Sequence, residues 1–144
     1  MTSFEVNRLV LHNDLAELNR LAGWIEAWFQ RGLSADTSFA IQLCLEEAVA
    51  NIIMHGGAKN REIAIEVERN GGTLIARIED ASREFDPTQA PARLLASSLK
   101  EAKVADFGIH LMRNFVSGMD YERRGGRNRL KLRFEEPQAQ SQPV

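Results

Sequence analysis

Residues 61–80 constrain the fold more than any other stretch of the chain. REIAIEVER alternates Ile63, Ile65 and Val67 with polar partners, the period of a half-buried strand. Asn70-Gly71-Gly72 follows, a hairpin turn signal because Asn and Gly tolerate positive φ. TLIARIED then gives the returning strand, residues 73–80. A second pair of alternating segments, 118–124 and 128–134, flanks Arg124-Gly125-Gly126-Arg127. Two hairpins imply a largely antiparallel sheet, and such a sheet needs something to cover one face.

The covering elements lie elsewhere in the chain. Residues 3–11 read as a first strand. Asn13 or Asp14 can cap a helix whose Leu15, Leu18, Leu21, Ile25 and Phe29 recur at helical spacing, ended by Gly32. Phe29 is the expected core member of an aromatic group with Trp24 and Trp28. Ser34 opens a second helix, with an expected core stripe of Phe39, Leu43, Ala50 and Met54, stopped by Gly56-Gly57. Residues 81–105 are irregular, with Pro87, Pro91 and a short helix expected around 92–101; 86–106 is expected to be a mobile lid. Residues 107–117 read as a last helix. The order β-α-α-β-β-loop-α-β-β predicts an α+β, two-layer sandwich: a mostly antiparallel mixed sheet with helices on one face.

Bulk properties narrow the classes. The 144 residues fit one domain, taken as 1–136, with 137–144 an expected disordered polar tail. A formal charge of -2 lacks the basic excess of a nucleic-acid binder. Cys44 is the single cysteine, set in an apolar helix pattern, and reads as a core residue. Neither a signal-peptide pattern nor an uninterrupted apolar run of membrane-spanning length is seen, so the expectation is a cytoplasmic protein with no membrane partner.

Three places can carry chemistry. Glu47 and Asn51 are four apart and share a helix face near the expected border of the core. A carboxylate and an amide there need partners. A metal and a hydroxyl would supply them, but so would a solvated edge and a side-chain hydrogen bond. Asp80 ends a strand, where it can accept from an exocyclic amine or simply form a turn. Gly108 opens the last helix, whose free N–H groups suit phosphate, unless it is an ordinary loop-to-helix joint.

The order of these features is more specific than any one of them. E-x-x-x-N-x-x-x-H lies on a helix, a hairpin ends in D-x-x-x-x-F-D-P, and a long loop leads to G-[IL]-x-L and a final hairpin. Across about residues 3–134, through EEAVANIIMHGG, EDASREFDP and FGIHLMRNFVSGMDYERRGGRNRLKL, the chain resembles the histidine-kinase-like (GHKL) ATPases. More narrowly, it is similar to the anti-sigma-factor serine kinases of bacterial partner-switching systems.

The resemblance implies ATP and Mg²⁺ as cofactors and phosphoryl transfer to a serine of a small antagonist (anti-anti-sigma) protein. It also implies sequestration of a sigma factor and a homodimer. It assigns the metal ligand to Asn51 and the general base to Glu47, with Glu46 facing elsewhere. His55 would support the phosphates or cap its helix, Asp80 would read adenine, and Ser82 would sit in the nucleotide loop. The N–H groups of Gly108, Ile109 and His110 would approach phosphate, and Asn128 would contact adenine through water.

The chain departs from the family pattern in that loop. Ser82 and Glu84 stand where the family has glycines, and the stretch KVADFG keeps only Gly108. Glu84 adds negative charge near a polyanion. Two other readings follow. One is a non-catalytic anti-sigma module with a vestigial pocket. The other is a histidine-kinase catalytic domain, which needs an acceptor His on a dimerisation helix; none of His12, His55 and His110 lies on one. YERRGGRNR reads as an exposed hairpin with solvated charges.

Overall fold

In the computed structural model the described residues are 4–29, 32–55, 61–89 and 112–137. The elements run β1 (Phe4–His12), α1 (Glu17–Phe29), α2 (Ala35–His55), β2 (Glu62–Asn70), β3 (Thr73–Asp80), a 3₁₀ turn (Pro87–Gln89), β4 (Gly118–Arg124) and β5 (Arg127–Glu135). Residues 112–115 are helical. The expected helix at 92–101, the lid, the start of the last helix and the polar tail from residue 138 lie outside the described residues.

The strands form one sheet of order β1-β2-β3-β5-β4. All four pairings are antiparallel, and the two hairpin signals account for β2–β3 and β4–β5. Both turns are two-residue loops in which glycine supplies the needed backbone: Gly71 has φ 65, and Gly125 and Gly126 have φ 57 and 76. Alternation sends Ile63, Ile65, Val67, Leu74, Ala76, Ile78, Leu130, Leu132 and Phe134 into one core. The helices cover that face, as the α+β sandwich predicts.

The opposite face is a lattice of charge. Arg77 reaches Glu66 and Glu68 at 3.5 and 2.8 Å, while Arg127 and Arg129 both reach Glu79 at 3.6 Å. Exposed pairs of this kind contribute little, about 0–1 kcal/mol each. Their role is to keep the uncovered face wet.

The start of α1 differs from the sequence reading, and the start of α2 agrees with it. Asp14 does not cap α1 directly. Its Oδ1 accepts from Ala16 N–H at 3.0 Å and its carbonyl from Glu17 N–H at 2.9 Å, a turn that precedes the helix. Leu15 is therefore left exposed, while Leu21 and Ile25 enter the core and Trp24 packs against it. The side chains of Trp28 and Phe29 are outside the described set. At the start of α2 the expected cap is present: Ser34 Oγ accepts from Thr37 N–H at 3.1 Å. Glu136, beyond β5, accepts from Ser34 N–H at 2.9 Å and so ties the cap to the end of the sheet.

The expected core stripe of α2 is corrected. Phe39 and Met54 are 57% and 55% exposed, and Leu43 and Ala50 are half-buried. The buried face is Thr37, Ala40, Ile41, Cys44, Leu45, Ala48, Val49 and Asn51. This helix is apolar almost all round, so the largest side chains do not mark its inner face. Ala40, Cys44 and Ala48 share the inner face with Ile41 and Leu45, so side-chain size does not separate the two faces. Residues 35–54 are also apolar enough, at a mean hydropathy of 1.2, to match a membrane span by length and composition, which a search for an unbroken apolar run misses. Packing against the sheet accounts for that apolarity.

Candidate functional site

A cleft of about 430 Å³ opens between the C-terminal half of α2 and the ends of β3, β4 and β5. Asn51, Asp80, Ser82 and Asn128, distant in sequence, all line it. Topology brings them together. β5 runs between β3 and β4, so Asn128 is in register with Asp80 on one side and Arg123 on the other. Apolar walls come from Ala48, Ile52, Ile78, Met112 and Leu130.

Asn51 is 8% exposed, and its Oδ1 is buried with no hydrogen-bond partner among the described residues. An orphaned buried acceptor costs about 1–3 kcal/mol. Nothing in the fold requires an amide there, since the neighbouring inward positions are Ala48 and Ile52. A neutral oxygen donor facing a cleft fits a hard cation such as Mg²⁺, which accepts few protein ligands and completes its shell with water and phosphate. No group of three or more His, Cys, Asp or Glu side chains among the described residues could hold a metal by itself.

Glu47 lies one turn back on α2, half-buried, and is not among the residues lining the cleft. Burial raises its carboxyl above the usual range, and the charge of Glu46 adds to the shift. Cys44, a further turn-step inward, is fully buried, and desolvation followed by the Glu47 charge pushes its thiol up to about 12. It is an inert core thiol, as the sequence implied.

Asp80 and Ser82 are buried at the end of β3. Asp80 Oδ1 accepts from Ser82 N–H at 2.8 Å, an Asx turn that starts the loop. It also accepts from Asn128 Nδ2 at 3.2 Å. Downstream, Asp86 Oδ1 accepts from Thr88 N–H and hydroxyl at 2.9 and 2.6 Å. Arg113 donates to the Pro87 and Thr88 carbonyls at 3.0 and 2.9 Å, holding that loop against the residue 112–115 turn. Glu84 lines the cleft, so the charge noted in the sequence does face the site. The side chain of His55, and all of Gly108, Ile109 and His110, lie outside the described residues.

Sequence reasoning missed Tyr121 and Arg123. Tyr121 lines the cleft, and burial, then the Glu84 charge, raises its phenol. Arg123 donates to the Ser82 carbonyl and to Asn128 Oδ1, so the YERRGGRNR hairpin is not wholly solvated charge. The usable signal was period two in β4: Tyr121 and Arg123 share the face that Asn128 occupies across the ladder.

Comparison with known proteins agrees with this arrangement. The family described as Histidine kinase-like ATPase domain matches residues 11–134. Serine/threonine-protein kinase BtrW of Bordetella bronchiseptica is 36% identical over 101 residues, 69% of this chain and 71% of that protein. The crystal structure of the RsbU and RsbW domains of a Mycobacterium tuberculosis protein superposes with a TM-score of 0.67 at 14% identity. It covers 92% of this chain and 32% of that longer one, and shows the shared fold. With the family spanning both the sheet and the cleft-lining α2, the chain belongs to the histidine kinase-like (GHKL) ATPase domains.

Proposed function

We propose that the chain binds ATP with Mg²⁺ in the cleft and phosphorylates a serine of a small partner protein. The observation that carries this is Asn51 Oδ1, a buried acceptor with no partner among the described residues, one helical turn from a carboxyl that burial raises above its ordinary value. Kinship with BtrW, named as a serine/threonine-protein kinase, supports the choice of acceptor.

The chain's residues divide the work. Asn51 would hold the cation through Oδ1. The chemistry Mg²⁺ supplies when bound is charge neutralisation across the β- and γ-phosphates. Asp80 carries both of its recorded hydrogen bonds on Oδ1, which leaves Oδ2 for the adenine amine. Glu47 accepts the serine proton as the Ser Oγ–P bond forms and the bond from Pγ to the ADP oxygen breaks. A base poised above the ordinary carboxylate range is better matched to that transfer near pH 7. His55, Gly108 and Ile109 are assigned to the phosphate side by the family resemblance.

In this reading the chain is a cytoplasmic anti-sigma factor and homodimer. It releases its antagonist once a phosphoserine adds charge at the interface. A second reading, a docking module with a relic pocket, is favoured by one observation: Glu84 lines the cleft where the family has glycine.

Calorimetric titration with ATP, with and without Mg²⁺, separates the two. The kinase reading expects micromolar, Mg²⁺-dependent binding that Asn51→Ala abolishes. Absence of binding at millimolar nucleotide, from folded protein, overturns it in favour of the docking module.

A further inference from the structure

Among the described residues, Asn128 makes more hydrogen bonds than any other side chain lining the cleft. Its Oδ1 accepts from the Tyr121 hydroxyl at 2.5 Å, from Arg123 Nη1 at 3.0 Å and from Phe85 N–H at 3.3 Å. Its Nδ2 donates to Asp80 Oδ1 at 3.2 Å and to the Arg83 carbonyl at 2.9 Å, with the Ser82 carbonyl at 3.5 Å. A side-chain amide has two acceptor lone pairs and two donor hydrogens. All of that capacity is taken by protein groups, so none remains for a nucleotide or a bridging water.

The partners of Asn128 define its task. Three of them, the Ser82 and Arg83 carbonyls and Phe85 N–H, are backbone groups of the loop that follows Asp80. That loop has Ser82 and Glu84 where glycines would otherwise set its path. Arg123 adds a second tie, donating to the Ser82 carbonyl at 2.8 Å. Another of its partners is Asp80 itself. Asn128 occupies Oδ1, so Oδ2 is the oxygen left to a ligand.

We propose that Asn128, with Tyr121 and Arg123, is a clamp that sets base selectivity by holding the Asp80 carboxylate and the loop after it fixed against the ligand. None of the three touches the base in this assignment; they are positioning residues. The inference rests on the nucleotide-binding reading above. Adenine presents an amine donor where guanine presents a carbonyl acceptor. A carboxylate held in place accepts from the first and repels the second. A carboxylate that can draw back with a slack loop escapes the repulsion and discriminates less.

The test uses the full chain and two readouts. The first is hydrogen exchange at the Phe85 and Ser82 amides without nucleotide. The second is the ratio of ATP to GTP affinity with Mg²⁺. In Asn128→Ala, both amides should exchange faster and the ATP preference should fall about tenfold, the loss expected for a network hydrogen bond. Tyr121→Phe removes one hydroxyl and leaves the ring. It should fold normally and lower the preference about threefold by the same arithmetic.

Parallel loss of ATP and GTP affinity with an unchanged ratio would reduce the clamp to a structural role and overturn the proposal. Unchanged exchange at Phe85 would overturn it as well. A wild-type chain that binds neither nucleotide is a different result, because it defeats the nucleotide reading itself and with it any role in selectivity.

Discussion

Glu47, the proposed base, is a residue whose charged form works against the stability of the fold. Its carboxyl is raised chiefly by burial and further by Glu46. The native state therefore holds that proton more tightly than the unfolded chain does. By linkage, the native state is favoured at low pH, and this advantage is lost as pH rises through the folded value. At neutral pH the charged form is a burden on the fold. Glu47→Gln should then raise the melting temperature at pH 7.5, with the gain shrinking as pH falls into the carboxylate range. The same change should slow phosphoryl transfer by about 10²–10⁴, the usual contribution of a general base. ATP affinity should stay near that of the wild type, because Glu47 does not line the cleft. In the wild type the rate should climb with pH to a plateau, with a midpoint above the usual carboxylate range. Thermal melts and a pH–rate profile check both halves. A variant that loses stability and keeps its rate would remove Glu47 from the chemistry.

Among the elements, the strands were legible and the long helix was only half so. Ile63, Ile65 and Val67 alternate with charge on a sheet whose other face is wet, so period two carries the whole burial signal. Glycine marked both turns because a two-residue hairpin needs positive φ. In α2 the contrast between faces is weak, and Phe39 and Met54 look like core but lie outside it. The candidate pair does not depend on that reading, because Glu47 and Asn51 are fixed relative to each other by helix geometry, whichever face is buried. The clamp was illegible for another reason. Tyr121 and Arg123 meet Asn128 across the β4–β5 hairpin, but Asn128 meets Asp80 only because β5 lies beside β3, which no local pattern declares. A pair of truncations tests the corrected face. Leu45 is fully buried, and Leu45→Ala should cost about 2–5 kcal/mol in urea unfolding. Leu43 is half-buried, and Leu43→Ala should cost under about 1.5 kcal/mol, since less apolar area is lost. Equal costs would restore the original stripe.

For the whole molecule, the cleft joins α2 to the far half of the sheet, so a bound nucleotide should resist their separation. Cys44 can report this without any engineered probe. It lies on α2, fully buried in the core, and its thiol is pushed up to about 12. In the native state at pH 8 the thiol stays protonated and has no access to a reagent. Modification by a disulfide reagent therefore requires α2 to open away from the core, and the thiol then regains an ordinary pKa. Where opening is a pre-equilibrium, the labelling rate follows the open fraction. A ligand that binds only the closed form lowers that fraction by the factor 1 + [L]/Kd. ATP with Mg²⁺ at one hundred times Kd should slow Cys44 labelling about a hundredfold. Asn51→Ala should lose most of that protection at the same ATP concentration, because it weakens binding rather than the core. Labelling that is slow yet indifferent to nucleotide would mean that the cleft and the α2 interface open independently. The site would then sit on the fold without being coupled to its stability.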